Sequence, residues 1–94
     1  MSNYYIVRCK DAGVFFCHIA DRIGSEARLT DVRRLWYWDG AASLSELAVY
    51  GTKKPENCKF TVTVPEITVL DVIEIDACTK EAAQNILEVP EWRA

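Results

Sequence analysis

The sequence predicts an α+β domain: one small antiparallel β-sheet of five to six strands, open or barrel-like, with two short helices. Three observations carry that expectation. Short runs of β-branched and aromatic residues recur along the chain, separated by Gly, Pro and Asp turns. Two segments instead show helical spacing behind Ser or Thr caps. At 94 residues the chain has room for one domain, and it contains no internal repeat.

The first strand spans Tyr4 to Lys10. Asp11-Ala12-Gly13 turns the chain, and Val14 to Ala20 returns as a second strand, completing a hairpin. A turn at Arg22-Ile23-Gly24-Ser25 leads to a third strand beginning over Glu26 to Leu29. This strand enters Arg33 to Trp38 either directly or through a kink at Thr30-Asp31. Three strands in such a meander favour strong curl.

Alternation along Arg33–Trp38 puts Arg34, Trp36 and Trp38 on one face and Arg33, Leu35 and Tyr37 on the other. Two readings of this stretch stand side by side. Indole rings bury large apolar area, so the tryptophans can be core with Arg34 at its rim. Alternatively, one Trp and one Arg line a cleft where a planar base stacks and guanidinium meets phosphate. Arg33 or Arg34 would then hold phosphate, and Trp36 or Trp38 would stack.

Ser43 and Glu46 form a capping box, S-x-x-E, and Leu44, Leu47 and Ala48 give the following helix its apolar stripe. Gly51 suits its C′ position. The small residues Gly40-Ala41-Ala42 leave backbone N–H groups near Ala42 and Ser43 open to an anion, or Ser43 serves as a cap alone. Thr52 to Lys59 reads as a polar loop, with Lys59 either solvated or forming a pocket wall. Phe60 to Val64 is a half-buried strand that Pro65-Glu66 interrupts, and Val69 to Ile75 is a further strand. Glu74 and Asp76 share a face, as a wet edge or a divalent-metal pair. Thr79 caps a helix over Lys80–Glu88, Pro90 ends it, and Trp92 anchors the tail to the domain or to a neighbour.

Charge narrows the function classes. Residues 1–59 carry nine Lys/Arg against seven Asp/Glu, whereas residues 60–94 carry two against seven. That distribution disfavours a dedicated duplex binder and excludes specific nucleic acid from the expected partners. Cys9, Cys17, Cys58 and Cys78 form no CxxC pair, although Cys9 and Cys17 come close across the hairpin, so reduced core thiols are expected and no metal or other cofactor. His18 lies in the apolar run Phe15–Ile19 and reads as a core residue rather than a catalytic base. With no nucleophile–base spacing in view, the chain is expected not to be an enzyme. Met1–Tyr5 lacks the basic start and apolar core of a secretion signal, and no apolar run reaches the ~18 residues of a membrane helix. A cytoplasmic protein is expected, without membrane partners. The 50% hydrophobic content is generous for so small a core and points to a homo-oligomer.

Several stretches together resemble a family of small phage and prophage proteins. They are Ile6-Val7-Arg8, Ala12-Gly13-Val14, Arg33–Trp38, Gly40–Ser45, Cys58-Lys59-Phe60, Val72–Ile75, Val89-Pro90 and Trp92, around an RRLWYW-x-GAAS-L core. Cys17 departs from the glycine of that pattern, and Asp31-Val32 from its Asn-Ala. By class analogy, the resemblance implies a phage accessory protein in the infected bacterial host. Such a protein would sequester a nucleotide-type signal, a cyclic nucleotide or cyclic ADP-ribose, to block anti-phage defence. Arg33, Arg34, Trp36, Trp38, Ala42, Ser43 and Lys59 are the expected ligand-binding residues. The alternative function is a non-catalytic protein-interaction or structural accessory that uses the aromatic patch.

Overall fold

A computed structural model describes residues 3–94; Met1 and Ser2, the start of the stretch read for a secretion signal, lie outside the described residues. The elements run β1 (Tyr5–Cys9), β2 (Val14–Ile23), β3 (Glu26–Tyr37), α1 (Leu44–Tyr50), a 3-10 turn (Pro55–Asn57), β4 (Lys59–Val69), β5 (Val72–Ala77) and α2 (Lys80–Leu87). The five strands form one antiparallel sheet in the order β4-β3-β2-β1-β5. This is the expected α+β class. No helix among the described residues is long and apolar enough to cross a membrane.

The connection between β4 and β5 dictates the shape of the sheet. These strands lie at opposite edges, yet only Leu70 and Asp71 separate them. Three Cα–Cα steps reach at most about 11 Å, whereas four inter-strand spacings in a flat sheet cover about 19 Å. The sheet must therefore curl until its edges approach. Val69 from one edge packs in the same apolar cluster as Val72 and Ile75 from the other, together with Val7, Phe15, Cys17, Leu29 and Val32. That cluster fills the concave face. The two edge strands do not pair, so the sheet stays open rather than closing into a barrel.

Both helices cover the opposite, convex face. Leu47 and Ala48 of α1 and Ala83 and Ile86 of α2 pack on Ile6, Phe16, Leu35 and Phe60. Thr79 and Ser43 cap as expected, their hydroxyls accepting from Ala82 N–H and Glu46 N–H. Asn85 clamps the two helices together by accepting from Thr52 N–H at 2.8 Å and donating to Thr52 C=O at 3.0 Å.

Three boundaries differ from the sequence expectation: β2 continues through Arg22 and Ile23, which pair with Ala27 and Glu26 instead of forming the turn. Val69 ends β4 instead of opening β5, and Pro65 lies within a continuous β4 instead of breaking it. Pro65 is tolerated because β4 is an edge strand, where a missing donor leaves no ladder bond unmade. The kink at Thr30-Asp31 is present as a bulge: β3 holds one extra residue between the pairs Phe16–Arg33 and His18–Thr30. Asp31 there has φ 50°, the left-handed region, and is the one non-glycine with positive φ among the described residues.

The bulge turns Arg33 toward the helices, where it is 4% exposed. Its guanidinium donates only to carbonyls: Nε to Thr61 at 2.8 Å, Nη1 to Ile86 at 2.8 Å, and Nη2 to Val89 at 2.5 Å and Phe60 at 3.4 Å. Helix α2 has no basic residue in its last turn, and Arg33 supplies that cation from the sheet. Burial pulls its pKa down, and the nearby Glu91 charge opposes that shift.

Two substitutions test these points. Asp31→Val, harmless in a plain strand, should destabilise by about 1–2 kcal/mol because a β-branched residue resists positive φ. Arg33→Lys should cost about 2 kcal/mol, since one ammonium cannot bridge β4 and α2 while satisfying the same carbonyls. Urea unfolding reads both; unchanged midpoints would contradict the assigned roles.

Candidate functional site

The residues expected to bind ligand are distributed over several locations. Arg33 is enclosed beneath α2, with its donors engaged. Glu46 N–H donates to the Ser43 cap at 3.1 Å, and Ala42 N–H, one residue before the cap, donates to Glu46 Oε1 at 3.2 Å, so both expected anion contacts are engaged locally. Gly40 just before them is required by packing: it has φ 85°, and an added Cβ would meet Lys54 N at 2.5 Å and Thr52 Oγ1 at 2.7 Å. Trp38 leaves the face assigned to it. One extra residue at Trp36 shifts the pairing between Leu35–Phe60 and Tyr37–Lys59, and Trp38 packs with Leu35 against the helix-side core.

Trp36 and Lys59 do come together, through the C-terminal tail. Trp92 N–H donates to Phe60 C=O at 2.8 Å, and the Trp92 indole stacks on Trp36 with centroids 6.3 Å apart. Lys59 Nζ lies 5.4 Å from the Trp92 ring centre. Trp92 thus anchors to its own domain. Trp36 remains 64% exposed.

Arg34 points to the concave side. Its guanidinium carbon sits 4.9 Å over the Phe15 ring, and it makes no ion pair among the described residues. Arg34 borders a hollow of about 560 Å³ between the β1–β2 turn and the end of β4, where Asp11, Phe15, Ile67, Leu70 and Asp71 also contribute walls. A second hollow, of about 300 Å³, adjoins it and is lined by Val32, Thr61, Val62 and Val64, with Arg34 and Ile67 common to both. Asp71 Oδ2 accepts from Asp11 N–H at 2.6 Å and Ala12 N–H at 3.3 Å. Those backbone bonds, Asp11's foremost, hold its carboxyl below the usual range. The Asp71 thiol neighbour, Cys9, is pushed up to about 11 by burial and by that carboxylate, which keeps it an unreactive thiol. The Arg34 guanidinium, with no ion pair among the described residues, lies over an aromatic floor at the mouth of the curled sheet, beside both apolar side chains and the two aspartates.

Of the expected residues, Arg34 alone reaches this groove. Phe15, Val32, Ile67 and Asp71 were not singled out by sequence, because strand pairing sets Phe15 and Ile67 beside β3 and the curl brings Asp71, just past the end of β4, to the β1–β2 turn. The Asp-Ala-Gly turn was the one local signal of a loop at that mouth.

Two other clusters carry titratable groups. His18 is not enclosed in the core: its ring lies tilted by 31° against Tyr4 with centroids 4.0 Å apart, and its Nδ1 lies 2.9 Å from Asn3 C=O and its Nε2 3.8 Å from Asp31 Oδ2. On β5, Glu74 and Asp76 bond to each other, and Arg8 Nε donates to Glu74 at 3.1 Å. Burial, and then Glu74, pushes the Asp76 carboxyl up to about 6, and its Oδ2 is buried without a hydrogen-bond partner among the described residues. No set of three His, Cys, Asp or Glu among those residues is placed to hold a metal ion.

Asp76 therefore binds its proton more tightly in the folded chain than in the unfolded chain. Stability should fall as pH rises from about 4 through about 6. Asp76→Asn should flatten that slope and raise stability at pH 7.5 on the order of 1 kcal/mol, a value reduced by solvent screening of the partly hydrated pair. Thermal melts of both proteins across pH 4–8 read it; parallel profiles would refute the raised Asp76 pKa.

No curated protein and no solved structure shows a significant match to this chain. A family model described as a domain of unknown function (DUF6948) matches residues 2–86, and the chain belongs to that family.

Proposed function

We propose that this protein is a non-catalytic binder that sequesters a small nucleotide-type molecule in the Arg34 groove. The observation that carries the reading is the Arg34 guanidinium, held over Phe15 without an ion-pair partner among the described residues and bordering a hollow of about 560 Å³. A ligand phosphate supplies the missing charge, and the valine and isoleucine walls exclude water from a base. The resemblance to phage and prophage proteins gives this binding its role: removal of a host defence signal such as a cyclic nucleotide or cyclic ADP-ribose. A homo-oligomer would close the groove's open side and make the cage more complete.

A second reading rests on a different observation, the exposed Trp36–Trp92 stack with Lys59 beside it. Exposed tryptophans are frequent anchors of protein interfaces, so this patch fits an accessory that binds a host or phage protein.

Isothermal titration against cyclic nucleotides and ADP-ribose derivatives separates the two. Binding should be at least tenfold weaker in Arg34→Ala, because a charge-assisted hydrogen bond contributes ~1.5–3 kcal/mol, and unaffected in Trp36→Ala. Silence of the folded protein across the panel, with a host-protein pull-down lost in Trp36→Ala, would favour the second reading.

A further inference from the structure

We infer that the Arg34 groove is built for a phosphodiester that joins two nucleoside-sized groups, rather than for a nucleoside polyphosphate. This rests on the binding reading above and narrows its ligand.

The first argument is shape. The two hollows, of about 560 and about 300 Å³, meet at Arg34 and Ile67. A ligand anion held at Arg34 therefore has space on both sides of it. Each hollow falls within or near the range of ~300–1,000 Å³ that small-molecule sites occupy. A mononucleotide fills one hollow and leaves the apolar walls of the other wet.

The second argument is charge. Arg34 is the only cation among the described residues lining either hollow, and the larger hollow also holds the Asp11 and Asp71 carboxylates. Asp71 stays ionised through its bonds to two backbone N–H groups. One guanidinium matches the single negative charge of a phosphodiester. Any anion here also meets the two carboxylates, and that repulsion grows with each charge a di- or triphosphate adds, while Arg34 offsets only one.

The third argument is the difference in wall chemistry. Asp11 and Asp71 present acceptors, suited to sugar hydroxyls or base amino groups. Val62 and Val64 present apolar surface, suited to the face of a base, over the buried Val32. The guanidinium between them, already stacked on Phe15, suits a phosphate edge-on.

The test is titration calorimetry with three probes: a dinucleoside monophosphate (ApA, with GpG as a second base), cyclic AMP and ATP. Cyclic AMP carries the same single phosphodiester charge with one nucleoside, and ATP carries more charge. The wild-type protein should bind a dinucleoside monophosphate at least tenfold tighter than cyclic AMP, with ATP weakest. Val62→Trp and Leu70→Trp each place an indole at the border of one hollow, at side chains 40% and 70% exposed, where folding tolerates it. Each variant should bring dinucleotide affinity down to the level of cyclic AMP. Equal affinity for the dinucleotide and cyclic AMP, or ATP binding tightest, would overturn the inference while leaving an Arg34-dependent nucleotide binder standing. Absence of binding by all probes and by the wider panel would overturn the binding reading itself. Should either tryptophan variant lose its cooperative melt, the wild-type ratio of ApA to cyclic AMP decides alone.

Discussion

Arg33 carries a charge into the layer between sheet and helices and finds no carboxylate bonded to it there. Its partners are four carbonyls, two from β4 and two from the end of α2. An uncompensated buried cation would be strongly destabilising, so this geometry is tolerated only because the donors are satisfied together. The carbonyls gain as well, since the end of α2 offers acceptors that no residue in its own last turn addresses. The guanidinium consequently ties the final helix to the edge strand, reaching from β3 to a carbonyl 53 residues away. The tail leaves α2 from that point, and its Trp92 meets Phe60 and Trp36 on the same edge.

A second constraint works from the other end of β4. The two-residue link to β5 forces the curl, and the curl produces a concave face lined by small and medium apolar side chains. The bulges fit into this scheme. Pairing shifts occur in β2, β3 and β4, and each permits a twist that a regular ladder would resist. Near the mouth of the curl, Asp71 reinforces the closure by bonding the β1–β2 turn, and Val72 N–H donates to Ser25 C=O on the β2–β3 turn. The groove beside Arg34 is the space left where the edges approach without pairing.

Local chemistry was legible in the sequence, and long-range geometry was not. Ser43 and Thr79 cap where capping residues should, Gly51 ends α1, and Trp92 docks on its own domain. The α+β class followed from alternation and helical spacing alone. What escaped was phase. Strict alternation assumes a period of two, and an extra residue at Trp36 sent Trp38 to the helix side. Pro65 looked like a break because a sequence does not state which strand lies at an edge. Likewise the dense run from Arg33 to Ser43 looked like one site. Arg33 and Gly40 instead organise the fold, Ala42 and Ser43 cap α1, Trp36 joins the exposed patch, and Arg34 alone enters the groove.

The bulge at Asp31 decides which arginine does which job. Ala27 and Leu29 face the concave cluster, so uninterrupted alternation would carry Arg33 there and turn Arg34 toward the helices. The extra residue reverses that phase. Val32 rejoins the concave cluster, Arg33 reaches the carbonyls of α2, and Arg34 settles over Phe15. A left-handed aspartate costs some strain, of order 1–2 kcal/mol at most for an L-residue. It offsets that cost by letting two adjacent arginines serve opposite sides of one sheet, one holding the fold and the other facing the groove. The same aspartate lies 3.8 Å from His18, which places the phase-setting residue beside the Tyr4–His18 pair. The register, the staple and the choice of the arginine that faces the groove therefore follow from one local backbone choice, and a change at Asp31 would be felt at Arg34 without touching it.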